Sequence, residues 1–171
     1  MGLIFDLDQT IIDSSIAEPY RKVRDWPTVY SVINRFVLYP GVIDALRNFK
    51  NSGLRICIVT SSPSSYCNKV LKYWDIPSDH MVCYHDTKNK KPHPEPINRA
   101  LSLLRIPAEK AISFGDCDID IIASNNANVR SVACTWGASN ITTLIKSNPT
   151  YTVKNSEELI SLVQRLNFCI A

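Results

Sequence analysis

The sequence predicts an α/β fold built on a mainly parallel sheet. Short apolar runs rich in β-branched residues alternate with amphipathic stretches, and the alternation continues to the end of the chain. Size agrees: 171 residues, 45% hydrophobic and 20% charged, suit one soluble domain with a full hydrophobic core.

Strands are predicted at 2–5, 54–60, 81–84, 111–114, 129–134 and 151–153. Helices are predicted between them at 42–51, 63–74, 94–104, 119–127 and 157–166. Gly53 closes the first of these helices, and Ser62 is expected to cap the second, with Pro63 at its first position. Asn155, followed three residues later by Glu158, resembles a capping box. In the last helix Leu159, Ile160, Leu162, Val163 and Leu166 follow helical spacing and form one buried face. The stretch 14–39 breaks the alternation. It carries Pro19, Pro27, Tyr20, Trp26 and Tyr30, together with Arg21, Lys22, Arg24 and Arg35, and reads as a small insertion of at most two short helices. Its cations either face solvent or contact substrate.

A formal charge of +3, with dispersed basic residues, neither points to nucleic acid nor excludes it. No segment is long and apolar enough to cross a membrane. The opening apolar run stops at Asp6, which leaves no room for a charged leader and a cleavable stretch, and position 6 lacks the hydroxyl of a myristoylation signal. A cytoplasmic protein is expected. The six cysteines, Cys57, Cys67, Cys83, Cys117, Cys134 and Cys169, show no CxxC pair and no regular spacing, so free thiols are expected. Cys57, Cys83 and Cys134 belong to apolar runs and are assigned to packing.

Four segments carry candidate chemistry. The first is Asp6, Leu7, Asp8, Gln9 and Thr10, at the C-terminal end of the first strand, where open α/β sheets place their ligands. Alternate residues of an extended segment point the same way, so Asp6 and Asp8 are able to share a site, and close carboxylates repel unless a cation joins them. Magnesium, which prefers oxygen ligands, is the natural cation. A lone DxD is also common in surface turns. The second segment is Thr60, Ser61, Ser62 and Pro63, where hydroxyls and free N–H groups at a helix start make a phosphate site; plain helix capping by Ser62 is the alternative. The third runs through Lys90, Lys91, Pro92, His93 and Pro94, by itself a solvated basic loop. In the fourth, Gly115, Asp116, Cys117 and Asp120 again join a strand to a helix; acidic residues there bind a cation or simply complement the helix dipole.

Together, in content, order and position, these segments resemble the haloacid dehalogenase-like superfamily. Its DxDxT motif falls on Asp6, Asp8 and Thr10, its strand-ending Ser or Thr on Thr60, its Lys on Lys91, and its GDxxxD on Gly115, Asp116 and Asp120. The likeness extends through the phrase 39–42 and spans nearly the whole chain outside the insertion. Gln9 departs from the family's frequent Gly and is expected to be tolerated.

The resemblance implies a Rossmann-like three-layer sandwich with a mainly parallel sheet and a very small helical cap insertion at about 14–39. It also implies a magnesium-dependent phosphatase. In that reading Asp6 accepts the phosphoryl group, and Asp8 protonates the leaving oxygen and then activates water. Mg2+ lies on Asp6, the Asp8 carbonyl and Asp116; Thr60, Ser61 and Lys91 cradle the phosphate; Thr10 and Asp120 support them. Asp8 and Asp116 favour phosphatase over dehalogenase. A phosphotransferase or mutase with the same core is an alternative, as is a non-catalytic partner-binding relative. The substrate is phosphorylated but unidentified. A cap of about 25 residues leaves the site open, which suggests a bulky substrate such as a phosphoprotein or nucleic-acid end, or a cap completed by another subunit of a homo-oligomer. Cys117 is read as incidental, with tuning by oxidation as the alternative, and His93 as a loop residue rather than a base.

Overall fold

The computed structural model describes residues 1–168; Cys169 lies outside the described residues. Its organising element is strand β1 (Gly2–Phe5), every residue of which is buried. β1 pairs in parallel with β4 (Arg55–Val59) on one side and β6 (Ala111–Gly115) on the other. With β5 (His80–Val82), β7 (Arg130–Cys134) and β8 (Tyr151–Val153) they form a six-stranded parallel sheet in the order β5-β4-β1-β6-β7-β8. Parallel strands covered on both faces read as continuous apolar runs rather than alternating ones, as they do here.

Alternate residues of β1 enter different layers. Leu3 and Phe5 pack with Ile56, Ile58, Leu46, Phe49, Leu159 and Val163, so α3 (Val42–Asn51) and α8 (Ser156–Phe168) cover that face. Ile4 packs with Cys57, Val59, Ile97, Leu101, Leu104 and Ala123, placing α5 (Glu95–Leu104) and α6 (Asp118–Asn126) on the opposite one. The Phe5 and Phe114 rings stack across the β1–β6 pair at 4.4 Å between centroids. The predicted three-layer α/β arrangement is therefore the observed one.

Boundaries differ where local hydrogen bonds compete. The run 81–84 ends early as a strand because the Cys83 N–H donates to the Asp86 carboxylate and the chain turns through Tyr84–Asp86. Ser62 does not cap α4 (Ser64–Tyr73): Pro63 occupies the cap position without a side-chain bond, and the Ser62 hydroxyl is used elsewhere. The predicted capping box is half formed: Asn155 accepts from the Glu158 N–H, while Glu158 reaches Lys154. Gly53 takes φ +76 after α3, the left-handed turn that lacks a Cβ penalty.

Two features escaped the pattern. Helix α7 (Ile141–Lys146), capped by Asn140, is too short to show a periodicity. β2 (Ile12–Asp13) and β3 (Val37–Leu38) form a two-residue antiparallel ladder beside the main sheet. Between β2 and β3 lie α1 (Glu18–Lys22) and α2 (Trp26–Ser31), with 3₁₀ turns at Ser15–Ala17 and Ile33–Arg35. Ala17, Val29, Val32, Ile33 and Phe36 seat this segment on the main core. Among the described residues no helix is long and apolar enough to cross a membrane.

Leu46 is fully buried, so Leu46→Ala should lower unfolding free energy by about 2–5 kcal/mol. Val23→Ser, at a residue 74% exposed, should change it by less than about 0.5 kcal/mol. Urea denaturation of the two variants measures both.

Candidate active site

The chain leaves β1 for the β4 side and later returns to its other side at β6, so β1 marks a topological switch point. The C-terminal ends of β1, β4 and β6 deliver Asp6, Thr60 and Asp116 there. The Asp6 N–H donates to the Phe114 carbonyl at 2.9 Å, which anchors the start of the loop. Lys91 arrives from the segment before α5; its ammonium donates to Asp6 Oδ1 at 2.6 Å, Asp120 Oδ1 at 2.5 Å and the Val59 carbonyl at 3.1 Å.

These groups are nearly removed from water, Lys91 being 5% and Asp120 7% exposed. Burial disfavours the ammonium, but Asp120 and Asp6 outweigh it and hold Lys91 protonated well above the usual range. For Asp6, burial, aided by Asp120 and Asp8, prevails over the attraction of Lys91 and pushes the carboxyl up to about 7. Asp116 is pushed up to about 8 by burial, then by the charges of Asp6 and Asp120. Asp6, Asp116 and Asp120 each offer an oxygen within 4.8 Å of the others. Crowded carboxylates of this kind suit a hard divalent cation, which would draw both raised carboxyls back to the ionised form.

Thr10 and Asp120 sit behind these groups. The buried Thr10 hydroxyl donates to Asp116 Oδ1 at 2.7 Å. Asp120, besides holding Lys91, accepts the Cys117 N–H through Oδ2. Gly115 leaves room for it, because a Cβ there would lie 2.3 Å from the Asp120 Cβ. Thr60 is buried and its Oγ1 accepts the Ser62 N–H, leaving its own proton to donate; Ser61 is exposed on the cleft.

Gln9 takes φ +66, a conformation that suits glycine, and its side-chain carbonyl accepts from the Tyr39 hydroxyl at 3.0 Å. Trp136 donates to the Thr10 carbonyl, and Gly137 abuts the loop so closely that a Cβ there would lie 1.7 Å from the Gln9 oxygen.

Asp8 has a separate environment. Its Oδ1 accepts from the Ser14 hydroxyl at 2.6 Å, the Tyr66 hydroxyl at 2.6 Å and the Arg21 guanidinium; Oδ2 accepts from Ser62 at 3.0 Å. Its carboxylate is thus engaged by these four donors. Ser14 and Tyr66 were invisible as site residues in the sequence, since a Ser or Tyr in an amphipathic stretch carries no positional signal, and Ser62, part of the second candidate segment, was assigned to a phosphate site or a helix cap rather than to Asp8. Arg21, grouped with the insertion's other cations, leaves the solvated face. Arg24 and Lys22 border the same cleft while remaining exposed, and Arg35 does not reach it.

The incidental residues have local partners. The His93 ring accepts the Glu95 N–H, and Lys90 donates to the Tyr84 and Thr87 carbonyls. Partial desolvation and the Asp118 contact push the Cys117 thiol up to about 12, which makes it a poor thiolate at neutral pH. Cys57, Cys67, Cys83 and Cys134 are buried free thiols.

A model of the haloacid dehalogenase-like hydrolase family matches residues 15–134, and the chain belongs to that family. The match begins just after Asp6 to Thr10. A pyrophosphatase, PpaX, of Bacillus mycoides is 30% identical over 131 residues, 75% of this chain and 61% of that protein. A phosphoglycolate phosphatase of Colwellia psychrerythraea is 33% identical over 103 residues, 59% of this chain and 46% of that one. The chain thus spans about half to three-fifths of these relatives. A hydrolase from Pseudomonas syringae superposes with TM-score 0.85 at 17% identity, over 96% of this chain and 98% of that one. A haloacid dehalogenase-like hydrolase from Streptococcus pneumoniae does so at 0.81 and 21%, over 95% and 98%. The fold is shared.

The raised carboxyls set a pH dependence. Between about pH 4 and 8 the folded, metal-free protein binds more protons at Asp6 and Asp116 than the unfolded chain does, so stability should fall as pH rises through that window. Melting in chelator should show this slope, and Asp116→Asn should flatten it. Mg2+ should raise Tm more at pH 8 than at pH 5. A Tm in chelator that climbs from pH 5 to 8 would contradict this electrostatic picture.

Proposed function

We propose that the protein is a magnesium-dependent phosphatase acting through an aspartyl phosphate on Asp6. The observation that carries this reading is the meeting of Asp6, Lys91, Asp116 and Thr60 at the ends of three adjacent strands, with Asp8 held separately beside them. Donor chemistry supports the metal: Asp6, Asp116 and Asp120 offer clustered carboxylate oxygens, and the Asp8 carbonyl would add a hard oxygen ligand. When bound, Mg2+ screens the phosphate's charge and orients it.

An Asp6 oxygen attacks phosphorus while the bond to the leaving oxygen breaks and that oxygen takes a proton from Asp8. Water then attacks the phosphorus, gives its proton to Asp8, and breaks the bond to Asp6, releasing phosphate and restoring the carboxylate. Lys91 and the Thr60 hydroxyl hold phosphate oxygens throughout, with Ser61 at the rim.

The cleft over Asp8 has a volume of about 900 Å³ and is bordered by Arg21, Lys22, Arg24 and Trp26. Its breadth would admit a phosphoprotein or nucleic-acid end. Its cations, and the small phosphorylated substrates in the relatives' names, favour a small anionic substrate instead.

Wild-type protein should hydrolyse phenyl phosphate with Mg2+ and stop in chelator. Asp6→Asn should lower kcat by at least about 10³-fold, and Thr60→Ala by about 10²-fold. No turnover by wild type on phenyl phosphate, phosphoglycolate or pyrophosphate would favour a non-catalytic binder. Transfer of the group to an added alcohol in preference to water would favour a phosphotransferase.

A further inference from the structure

We infer that Arg21 reads a second anionic group on the leaving side of the substrate, moving to it from the crowded Oδ1 of Asp8; the inference rests on the phosphatase reading. Each carboxylate oxygen offers about two lone-pair positions, and Asp8 receives four donors, three of them on Oδ1 and one on Oδ2. Oδ2 keeps a position for a proton or a leaving oxygen, while Oδ1 holds one donor more than its lone pairs accept. One donor on Oδ1 is in surplus.

Three of the four stand on buried side chains. Ser14 and Tyr66 are wholly buried and Ser62 is nearly so. Tyr66 is further packed against Trp26 and Phe36. Arg21 is different: it stands on α1, a five-residue helix that buries none of its residues, and its side chain faces the cleft. Arg21 is therefore the donor that can leave.

The chemistry of the group that draws it away follows from its charge. The Arg21 side chain is largely covered, 17% exposed, and its guanidinium donates to Asp8, Ser14 and Tyr66. Withdrawing it from Asp8 strands a partly buried cation unless another anion takes the carboxylate's place. The transferring phosphate belongs to Lys91 and Thr60, beyond Asp6. The replacement must therefore come from the leaving portion, as a carboxylate or second phosphate close to the ester or anhydride oxygen, matching the planar fork of Arg. A neutral leaving group offers the guanidinium no such partner.

Three substrates separate the possibilities: phosphoglycolate (carboxylate), pyrophosphate (phosphate) and phenyl phosphate (neutral). In Arg21→Gln, kcat/KM for whichever anionic substrate is native should fall about 10- to 100-fold relative to that for phenyl phosphate, and Arg21→Lys should recover part of the ratio. Binding provides a readout independent of turnover. With Asp6→Asn protein, calorimetric titration should show Kd for that anionic substrate weakened about 10- to 100-fold by adding Arg21→Gln, and Kd for phenyl phosphate altered less than about 3-fold. Equal losses on all three substrates would make Arg21 a mere prop for Asp8, and no change on any would make it a bystander; either overturns the inference. If wild type turns over no substrate, the phosphatase reading fails on its own, and the titration still decides whether Arg21 recognises the second anion.

Discussion

Burying Lys91 is the constraint on which the site depends. An ammonium in this position is tolerable only with its anions in place, and the two it uses come from distant parts of the chain: Asp6 from the end of β1 and Asp120 from the first turn of α6. Bringing them together requires β1 between β4 and β6, all parallel, so that their C-terminal ends open on one side. The apolar content of those strands is thus tied to the charges at their tips. Leu3, Ile4 and Phe5 bury both faces of β1, and the next residue is the aspartate that Lys91 holds.

Two aspartates one residue apart acquire opposite surroundings. Asp6 faces an ammonium and two other carboxylates in a nearly dry pocket. Asp8 faces hydroxyls and a guanidinium from the short segment that follows β2 and from the start of α4. That division suits a nucleophile and an acid/base partner, which need different electrostatics at the same phosphorus. Gln9, in its left-handed turn, follows Asp8, and Trp136 and Gly137 press the loop from behind.

The sheet was legible in the sequence because its inner strands β1, β4, β6 and β7 are largely apolar runs of four or five residues. Asp6, Thr60, Lys91 and Asp116 were legible only as a set: each follows or precedes a recognisable element, but Lys91 by itself reads as a basic loop residue, and the resemblance to the family joined the four. The partners of Asp8 were not. Tyr66 reads as a helix core residue, Ser62 as a cap, and Arg21 as one cation among several in the insertion. Their common target appears only when the insertion folds back over α4, and a two-residue ladder such as β2–β3 leaves no periodic trace to announce that folding.

The central claim is that Asp6 itself receives the phosphoryl group. Acid-quenching the protein during turnover of radiolabelled substrate, then mapping the labelled peptide by mass spectrometry, tests it directly. The expected result is a hydroxylamine-sensitive phosphate on Asp6, formed and lost at rates consistent with turnover. Label on another residue, or sustained turnover with no label trapped in a single-turnover quench series, would contradict it.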